Sequence, residues 1–355
     1  MDIYKQSSRL PDRLRGVLLG LLLIGLPAMA QTDTQQLFDA EVSVPNQTAG
    51  VRARAIRSAL QEVLLRVAGQ NDVLQTTPAK QLLKKPELLV QQYRYFNESG
   101  AEPPRLKLWV RFDGAAIRSS LQQQGQSFWG GERPDTLLWL AVEDRGRRYV
   151  VAADDSSDVH QQIALAAKQR GLPVVFPLMD LEDQSQVRFS DIWGGFFDQV
   201  MAASARYNPQ AVLVGRLNRS PSGGWTSRWH LEVAGKPSAW SDSDQQLSIL
   251  SQQGIDDTAD QLASKFAVVQ NGGSVGSVKI TVSGVDSLAD YARLSAYLTG
   301  LTAVTRVQTE RVSGAEIDYM LSVNGTLDDL TRTVRIGTVL EPIVGDMPGQ
   351  YRLRQ

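Results

Sequence analysis

The run Thr136–Val142 is almost wholly apolar and shows no alternation of polar and apolar side chains. Such a run is typical of a β-strand buried on both faces of a sheet, because a half-exposed strand alternates. Its sheet then needs helices on both sides. Further strand patterns follow at Leu172–Phe176 and Ala211–Gly215, with helical patterns between them. We therefore predict a three-layer α/β domain over residues 132–270, to which Trp225–Val233 adds an antiparallel meander.

The preceding region, residues 31–131, combines one long helix with strand patterns. Apolar residues recur at helical spacing over Val51–Val67, and this spacing places Arg66 on the polar face. Gly69 is the predicted end of the helix. Leu106–Phe112 alternates apolar and polar residues, as a half-buried strand does. The region is predicted to be an α+β domain with a helix packed on an antiparallel sheet.

Residues 271–277 are rich in glycine and serine, and we interpret them as a flexible linker. The remaining residues, 278–355, show the order strand, helix, strand, strand, helix, strand. Ser287 and Asp290 form a capping pair before the first of these helices, and Tyr351–Arg354 is the candidate last strand. This order predicts a ferredoxin-like domain.

The amino-terminal residues have the pattern of a cleavable signal peptide, residues 1–30. Three arginines precede the apolar run Val17–Leu26, Pro27 ends it, and small side chains follow at Ala28 and Ala30. We predict cleavage after Ala30. An uncleaved membrane anchor is the alternative, but the run is about half of the roughly 20 residues that a spanning helix needs. No later segment is long or apolar enough to span a membrane, so the mature chain is predicted to have no transmembrane span.

The chain contains no cysteine. It can therefore form no disulfide in an oxidising compartment, and no cysteine follows the leader to accept a lipid, which excludes a lipoprotein. We expect a periplasmic protein. With 37 Lys and Arg against 38 Asp and Glu, the net charge is −1, and we predict no nucleic-acid partner.

Only two histidines, His160 and His230, are present, and neither lies in a metal-binding spacing. We predict no metal site, cofactor or catalytic set. We expect His230 to be a solvated surface residue on the polar face of its strand, beside Arg228 and Glu232.

Three carboxylates, Asp180, Glu182 and Asp183, follow the strand pattern that ends at Phe176. Carboxyl ends of strands in open α/β sheets often form binding crevices, although an exposed loop at a strand exit is the simpler alternative. The candidate binding residues are Asp180, Glu182, Asp183, Trp193, Arg206 and Tyr207.

Trp193 begins a predicted helix over residues 193–204, in which apolar side chains recur at helical spacing. Tryptophans on such stripes are first of all core residues, and sugar-stacking platforms are the alternative.

Several stretches of the chain resemble an uncharacterised family of exported gammaproteobacterial proteins, classed as a domain of unknown function. The stretches are Ala59–Gly69, Gln91–Tyr95, Gly171–Asp183, Asp191–Gly194, Ala203–Tyr207 and Val212–Leu217. The resemblance implies a place in the cell envelope and no known reaction. The order of elements in the middle domain is loosely similar to that of periplasmic accessory proteins, such as the amino-terminal domain of TolB, and these act by docking to other proteins.

The absence of a catalytic set favours a non-enzymatic binding or scaffolding protein whose domains present surfaces to envelope proteins. The alternative is a hydrolase of an envelope polymer, such as a glycan, that uses Asp180, Glu182 or Asp183. Small-ligand sensing in a crevice beside Asp180 is a third hypothesis. The sequence does not predict an oligomeric state.

Overall fold

The computed structural model of the protein describes residues 36–99, 103–221, 223–269, 276–324, 326–337, 339–343 and 348–354. The predicted leader and most of the predicted linker lie outside these residues. The described residues belong to one compact unit and contain helices and four sheets, which confirms the predicted mixed α+β class. None of the helices in the described ranges is both long and apolar enough to cross a bilayer.

The first region packs helices on one face of a small antiparallel sheet. Its elements are β1 (Asp39–Ser43), α1 (Ala49–Ala68), α2 (Thr77–Leu82), β2 (Val90–Asn97), β3 (Leu106–Phe112), α3 (Gly114–Gln123) and β4 (Ser127–Phe128). The sheet has the order β1-β3-β2, and α1 packs its apolar stripe, which includes Leu60 and Leu64, against it. Gly69 ends α1 in the left-handed conformation (φ 74°), as predicted, because glycine adopts this backbone without strain.

The middle region contains four strands of nine residues and three short helices. Its elements are β5 (Thr136–Asp144), β6 (Arg147–Val150), α4 (Asp158–Arg170), β7 (Val174–Val175), α5 (Leu181–Gln186), α6 (Phe189–Gly194), α7 (Phe197–Ser204), β8 (Ala211–Arg219), β9 (Trp225–Val233), β10 (Lys236–Asp244), α8 (Leu247–Phe266) and β11 (Val268–Val269). The main sheet has the order β10-β9-β8-β5-β6, and β7 also pairs with β5.

This sheet is the centre of three layers. Side chains of β5 alternate between two apolar cores: Leu138 and Leu140 face α4 and α8, whereas Leu137 and Trp139 face α6 and α7. β5 pairs in parallel with β7 and β8, and β9 and β10 continue the sheet as an antiparallel meander. The burial of β5 on both faces explains its continuous apolar sequence.

The prediction of one continuous helix over residues 193–204 is wrong, because the structure divides this stretch between α6 and α7. Gly195 ends α6 with a left-handed backbone (φ 79°). A Cβ at this position would lie 2.7 Å from Nη2 of Arg216. The apolar residues keep helical spacing across the break, so the sequence pattern does not reveal it. The break needs glycine at position 195, for its left-handed backbone and for the space that Arg216 occupies.

The last region forms a five-stranded sheet with two helices. Its elements are β12 (Gly276–Ser283), α9 (Leu288–Gly300), β13 (Val304–Ser313), β14 (Glu316–Val323), α10 (Leu327–Ile336), β15 (Leu340–Pro342) and β16 (Gln350–Leu353). The predicted order of elements is present with one addition: β15 precedes the last strand and reverses the chain. As a result, β16 pairs in parallel with β12, in the order β13-β14-β12-β16-β15. Ser287 caps α9 as predicted.

Three buried arginines, Arg66, Arg133 and Arg170, lie where the first and middle regions meet. Arg66 lies on the polar face of α1, as predicted, but it is buried there rather than exposed. Its Nε donates to the carbonyl of Gln169 at 2.9 Å, and its Nη1 donates to the carbonyl of Leu37 at 3.2 Å. The helical spacing of α1 is correct, but residues from other elements cover this part of its polar face.

Candidate functional site

The predicted acidic residues fold as the start of α5 rather than as an open loop. Asp180 is the N-cap of α5, and its Oδ1 accepts a hydrogen bond from the backbone N–H of Asp183 at 3.0 Å. An N-cap carboxylate satisfies a backbone donor that has no partner within the helix, and it lies at the positive end of the helix dipole. The spacing of three residues between Asp180 and Asp183 thus fixes how this segment turns.

Arg206 joins the acidic residues from the turn after α7. Its Nη1 lies 2.8 Å from Oδ1 of Asp180, and its Nη2 lies 2.9 Å from Oδ2. This two-bond pairing of guanidinium with carboxylate fixes orientation as well as charge. The same Nη1 reaches Oδ1 of Asp183 at 3.0 Å and Oε2 of Glu182 at 3.5 Å. The structure therefore brings all three predicted carboxylates to one guanidinium.

Asp183 is completely buried, which excludes the exposed-loop interpretation for this residue. Its Oδ2 accepts the hydroxyl of Tyr207 at 2.5 Å and the backbone N–H of Met179 at 2.9 Å. The Tyr207 hydroxyl in turn accepts the backbone N–H of Leu178 at 2.8 Å. Because Arg206 holds the other oxygen, both oxygens of the buried carboxylate have partners.

These hydrogen bonds and burial shift the pKa values of Asp180, Arg206 and Tyr207. The paired hydrogen bond from Arg206 holds the pKa of Asp180 well below its usual range, and the Asp180 carboxylate raises the pKa of Arg206. Burial raises the pKa of Tyr207 to about 12, and its bond to Asp183 acts in the same direction. A glycosidase needs one carboxyl group that remains protonated near neutrality, and the environment of Asp180 has the opposite effect. The cluster therefore favours a positioning role, and hydrolysis by these residues stays a prediction.

Residues 178–183 comprise the chain that leads into α5 and the first turn of this helix, and we call them the acidic loop. They also carry apolar side chains in contact with solvent. Leu178 is 57% exposed and Leu181 is 87% exposed. Between them, Met179 has a φ of 52°, a left-handed backbone that costs a non-glycine residue on the order of 1 kcal/mol. The backbone N–H groups of Leu178 and Met179 donate to the Tyr207 hydroxyl and to the Asp183 carboxylate, and these bonds hold the segment in place. The loop is thus a fixed support for two exposed leucines.

Trp193, the remaining predicted site residue, lies apart from the acidic cluster. Its ring stacks on Phe189 with centroids 5.0 Å apart, and it packs against the apolar core around Trp139. Tyr207 also meets this core, edge-on to Trp139 at 6.5 Å. Trp193 is therefore a partly buried residue at the edge of this core.

Neither histidine is placed for metal binding. His160 packs on Phe176 with ring centroids 4.5 Å apart. His230 stacks on Phe197 at 3.8 Å and is half-buried, so its prediction as a solvated surface residue is wrong, because α7 covers one face of its ring. Within the described ranges, no group of three or more His, Cys, Asp or Glu side chains could hold a metal ion.

A cleft between the first and middle regions was not predicted from the sequence. It has a volume of about 810 Å³, and the outer face of the first sheet forms one wall. On this face the Trp109 ring lies between the guanidinium groups of Arg94 and Arg111, at 5.0 and 5.1 Å. Leu165 and Lys168 of α4 contribute to the opposite wall. The alternation of β3 predicts which residues lie on the outer face, but not that α4 lies opposite them.

Part of the chain matches a known protein family. Residues 31–130 match the family described as "Domain of unknown function (DUF8605)", which covers less than a third of the chain. A solved structure titled "Crystal structure of uncharacterized protein" is 14% identical over 38% of this chain and 93% of its own, with a TM-score of 0.17. That score supports no inference about the chain. The comparison with curated proteins found no match to the chain.

The match over residues 31–130 agrees with the predicted resemblance to a domain of unknown function. The part of that resemblance that rests on residues 171–217 stays a prediction.

Proposed function

We propose that the protein is a non-enzymatic binding or scaffolding protein of the bacterial cell envelope, and that its acidic loop docks a partner protein. The observation that carries the proposal is the side chain of Leu181, which is 87% exposed although the neighbouring Asp180 and Asp183 belong to a hydrogen-bonded cluster. A large apolar side chain in water costs free energy that a partner recovers by covering it.

The rigidity of the loop supports docking. A binding segment that is already ordered loses less conformational entropy on association than a mobile one. Asp183, within the acidic loop, and Tyr207, from the turn after α7, order the loop, so Leu178 and Leu181 are presented in one arrangement. Strain at Met179 is consistent with a backbone held for binding, because strained backbones cluster at functional sites.

The exposed charge of Glu182 limits the class of partner protein that we propose. Glu182 is 56% exposed at the edge of the two leucines, and Arg206 contacts it only at 3.5 Å. The partner we propose is an envelope protein with an apolar depression bordered by lysine or arginine. This interface would combine a small apolar centre with a charged rim, as many protein interfaces do.

The proposal also includes export of the protein to the periplasm. We propose that the amino-terminal leader directs a gammaproteobacterial protein to the periplasm and is removed after Ala30, as its sequence predicts. The loose similarity of the middle domain to periplasmic docking domains of the TolB type belongs to the same proposal. Cell fractionation with intact-mass measurement tests export: we expect a periplasmic chain that begins at Gln31, and a full-length cytoplasmic chain would refute it.

Docking is tested by placing a photo-crosslinking residue at position 181 in cells. Position 288 is the matched control, because Leu288 is also the first residue of a capped helix and is 83% exposed. We expect one dominant protein crosslink from position 181 and none to the same protein from position 288. The crosslink at 181 should weaken when Leu178 is changed to Ser.

The crosslinked partner is then purified, and its affinity for the wild-type protein and for Leu181→Ser is measured. Loss of one buried leucine contact corresponds to a fall in affinity of about tenfold or more. An equal affinity for both proteins, or equal crosslinking from positions 181 and 288, would contradict a docking role for the acidic loop.

A further inference from the structure

One face of the main sheet is left open beyond α7. Helices α6 and α7 cover β5 and the first half of β8, whereas Thr226, Arg228, Ser241 and Ser243 on β9 and β10 are exposed. Arg216 on β8 is paired in register with Arg228 on β9, and Arg228 is paired with Ser241 on β10. Side chains directly opposite each other on antiparallel strands have Cβ atoms about 5 Å apart. Two guanidinium groups and a hydroxyl therefore form one row across three strands.

Arg216 and Arg228 carry like charges at paired positions of the sheet. Among the residues that the structure describes, no carboxylate forms an ion pair with Arg216 or Arg228. Like charges placed opposite each other destabilise a sheet. Burial lowers the pKa of Arg216, and the positive charge of Arg228 lowers it further. Arg206 and Arg219, whose side chains are 26% exposed, each have a carboxylate partner.

The row lies in a pocket. The pocket has a volume of about 490 Å³ and is lined by Phe197, Arg216, Arg228, His230, Ala239 and Ser241, among others. Phe197 stacks on His230 and forms one wall, and the guanidinium of Arg216 lies 5.8 Å from the Phe197 ring. The small side chains of Ala239 and Ser241 leave room above β10.

The surroundings of the pocket leave room for Arg216 and set the local charge. Gly195, at the break between α6 and α7, leaves space for the guanidinium, because a Cβ there would lie 2.7 Å from Nη2 of Arg216. Glu232 lies on the same face of β9, two residues beyond His230, and is the acidic group that acts on the histidine. The charge facing the pocket is therefore positive at the arginine pair and is partly offset at the His230 end.

We propose that Arg216, Arg228 and Ser241 form a binding site for a phosphate group. Guanidinium groups match tetrahedral oxyanions because they present several N–H donors in a fixed plane. The serine hydroxyl adds a further donor, and a doubly charged anion neutralises both arginines. The proposal concerns a different surface from the acidic loop and does not depend on partner docking there.

The phosphate group could belong to a free phosphate, a small phosphate ester or a lipid headgroup, which share this chemistry. The test therefore uses three probes at matched ionic strength: inorganic phosphate, glycerol phosphate, and phosphatidylcholine vesicles containing phosphatidic acid. Binding is measured by calorimetry for the soluble probes and by co-sedimentation for the vesicles. Chloride at the same ionic strength is the reference that shows how much of any effect comes from electrostatic screening by salt.

The variants are Arg216→Gln and Arg228→Gln. The matched control is Lys236→Gln, which removes one positive charge from the exposed start of β10 in the same sheet. We expect each arginine variant to bind the effective probe about tenfold or more weakly than the wild type, because one charge-assisted hydrogen-bonding group is lost. The lysine variant should bind as the wild type does.

A stability measurement separates ligand binding from a structural role. Without phosphate, Arg216→Gln should unfold at the same temperature as the wild type or higher, because it removes repulsion between two like charges. With the probe that binds, the wild type and Lys236→Gln should gain more thermal stability than the two arginine variants. Binding of inorganic phosphate or its ester supports a soluble ligand, and binding of vesicles alone supports a headgroup. Failure of all three probes to bind, or equal binding by all four proteins, would overturn the proposal.

Discussion

Nη2 of Arg133 donates a hydrogen bond to the backbone carbonyl of Arg66 at 2.7 Å. The same guanidinium donates to the carbonyls of Arg170 at 2.7 Å, Trp129 at 3.0 Å and Gly130 at 3.0 Å. Arg66 and Arg170 lie at the ends of α1 and α4, where carbonyl groups lack intrahelical partners and carry partial negative charge. Burial lowers the pKa of Arg133, and its two arginine neighbours lower it further. One side chain thus connects two helix ends from different regions.

Replacing Arg133 by Met should destabilise the protein strongly. The substitution removes every donor of the guanidinium and leaves several buried carbonyls without partners, so we expect the free energy of unfolding to fall by about 3 kcal/mol or more. Urea denaturation followed by circular dichroism measures this. Arg148→Met is the control, because the Arg148 side chain is 61% exposed, and it should change stability by less than about 0.5 kcal/mol. Similar values for the two variants would contradict the role of Arg133.

The hydroxyl of Tyr207 should stabilise the acidic loop by bonding to Asp183. In Tyr207→Phe, the buried carboxylate loses its 2.5 Å partner, and we expect a loss of about 1.5 to 3 kcal/mol in unfolding free energy. Hydrogen exchange should also become faster at the backbone N–H of Leu178, which donates to the same hydroxyl. Tyr93→Phe is the control, since Tyr93 is 46% exposed and lies in the first region. An unchanged exchange rate at Leu178 would show that the hydroxyl does not hold the loop.

Much of the fold could be predicted because local patterns determine it. The alternation of Leu106–Phe112 predicts β3 with the bounds that the structure has, and Gly69 predicts the end of α1. The capping pair at Ser287 predicts the start of α9. Each of these signals depends on residues within about four positions, where sequence spacing and spatial position are directly related.

The features that could not be predicted depend on contacts between distant residues. Asp183 is buried because Arg206 and Tyr207, more than twenty residues later, cover its charge. Arg66 is buried because the carbonyl of Gln169 lies beside it, although its own helix gives it polar spacing. The pairing of Arg216 with Arg228 requires the register of two strands. The sequence therefore predicted the acidic residues as a group, but not that the protein itself neutralises them.

Glu132 should make the stability of the protein depend on pH. Burial raises the pKa of its carboxyl group from 4.5 to about 7, so between these values the folded protein holds a proton that the unfolded chain has released. The stability from this group is present in full below pH 4.5 and is lost as the pH rises through about 7. Glu132→Gln should remove this loss and gain on the order of 3 kcal/mol over the wild type at mildly alkaline pH.

The measurement for Glu132 is the free energy of unfolding across this pH range for both proteins. The difference between the two curves should widen as the pH rises and level off in mildly alkaline solution. Glu316→Gln, at an exposed position on β14, controls for the loss of one negative charge. Parallel curves for the wild type and Glu132→Gln would show that the carboxyl group is ionised normally in the folded protein.

Gly254 in the middle of α8 lets the helix lie directly on Trp229 of the main sheet. A Cβ on this glycine would overlap the indole ring, which is almost completely buried and cannot move aside without displacing the core around Leu231. Alanine favours helix over glycine by about 1 kcal/mol, but overpacking costs about 1 to 3 kcal/mol. We therefore expect Gly254→Ala to lower thermal stability and to alter the near-ultraviolet circular dichroism of the tryptophans. Gly300→Ala is the control, because a Cβ at this position at the end of α9 meets no atom within 4 Å. It should leave the circular dichroism unchanged and the thermal stability unchanged or slightly higher. A stabilised Gly254→Ala would mean that the helix and sheet are less closely packed than the structure indicates.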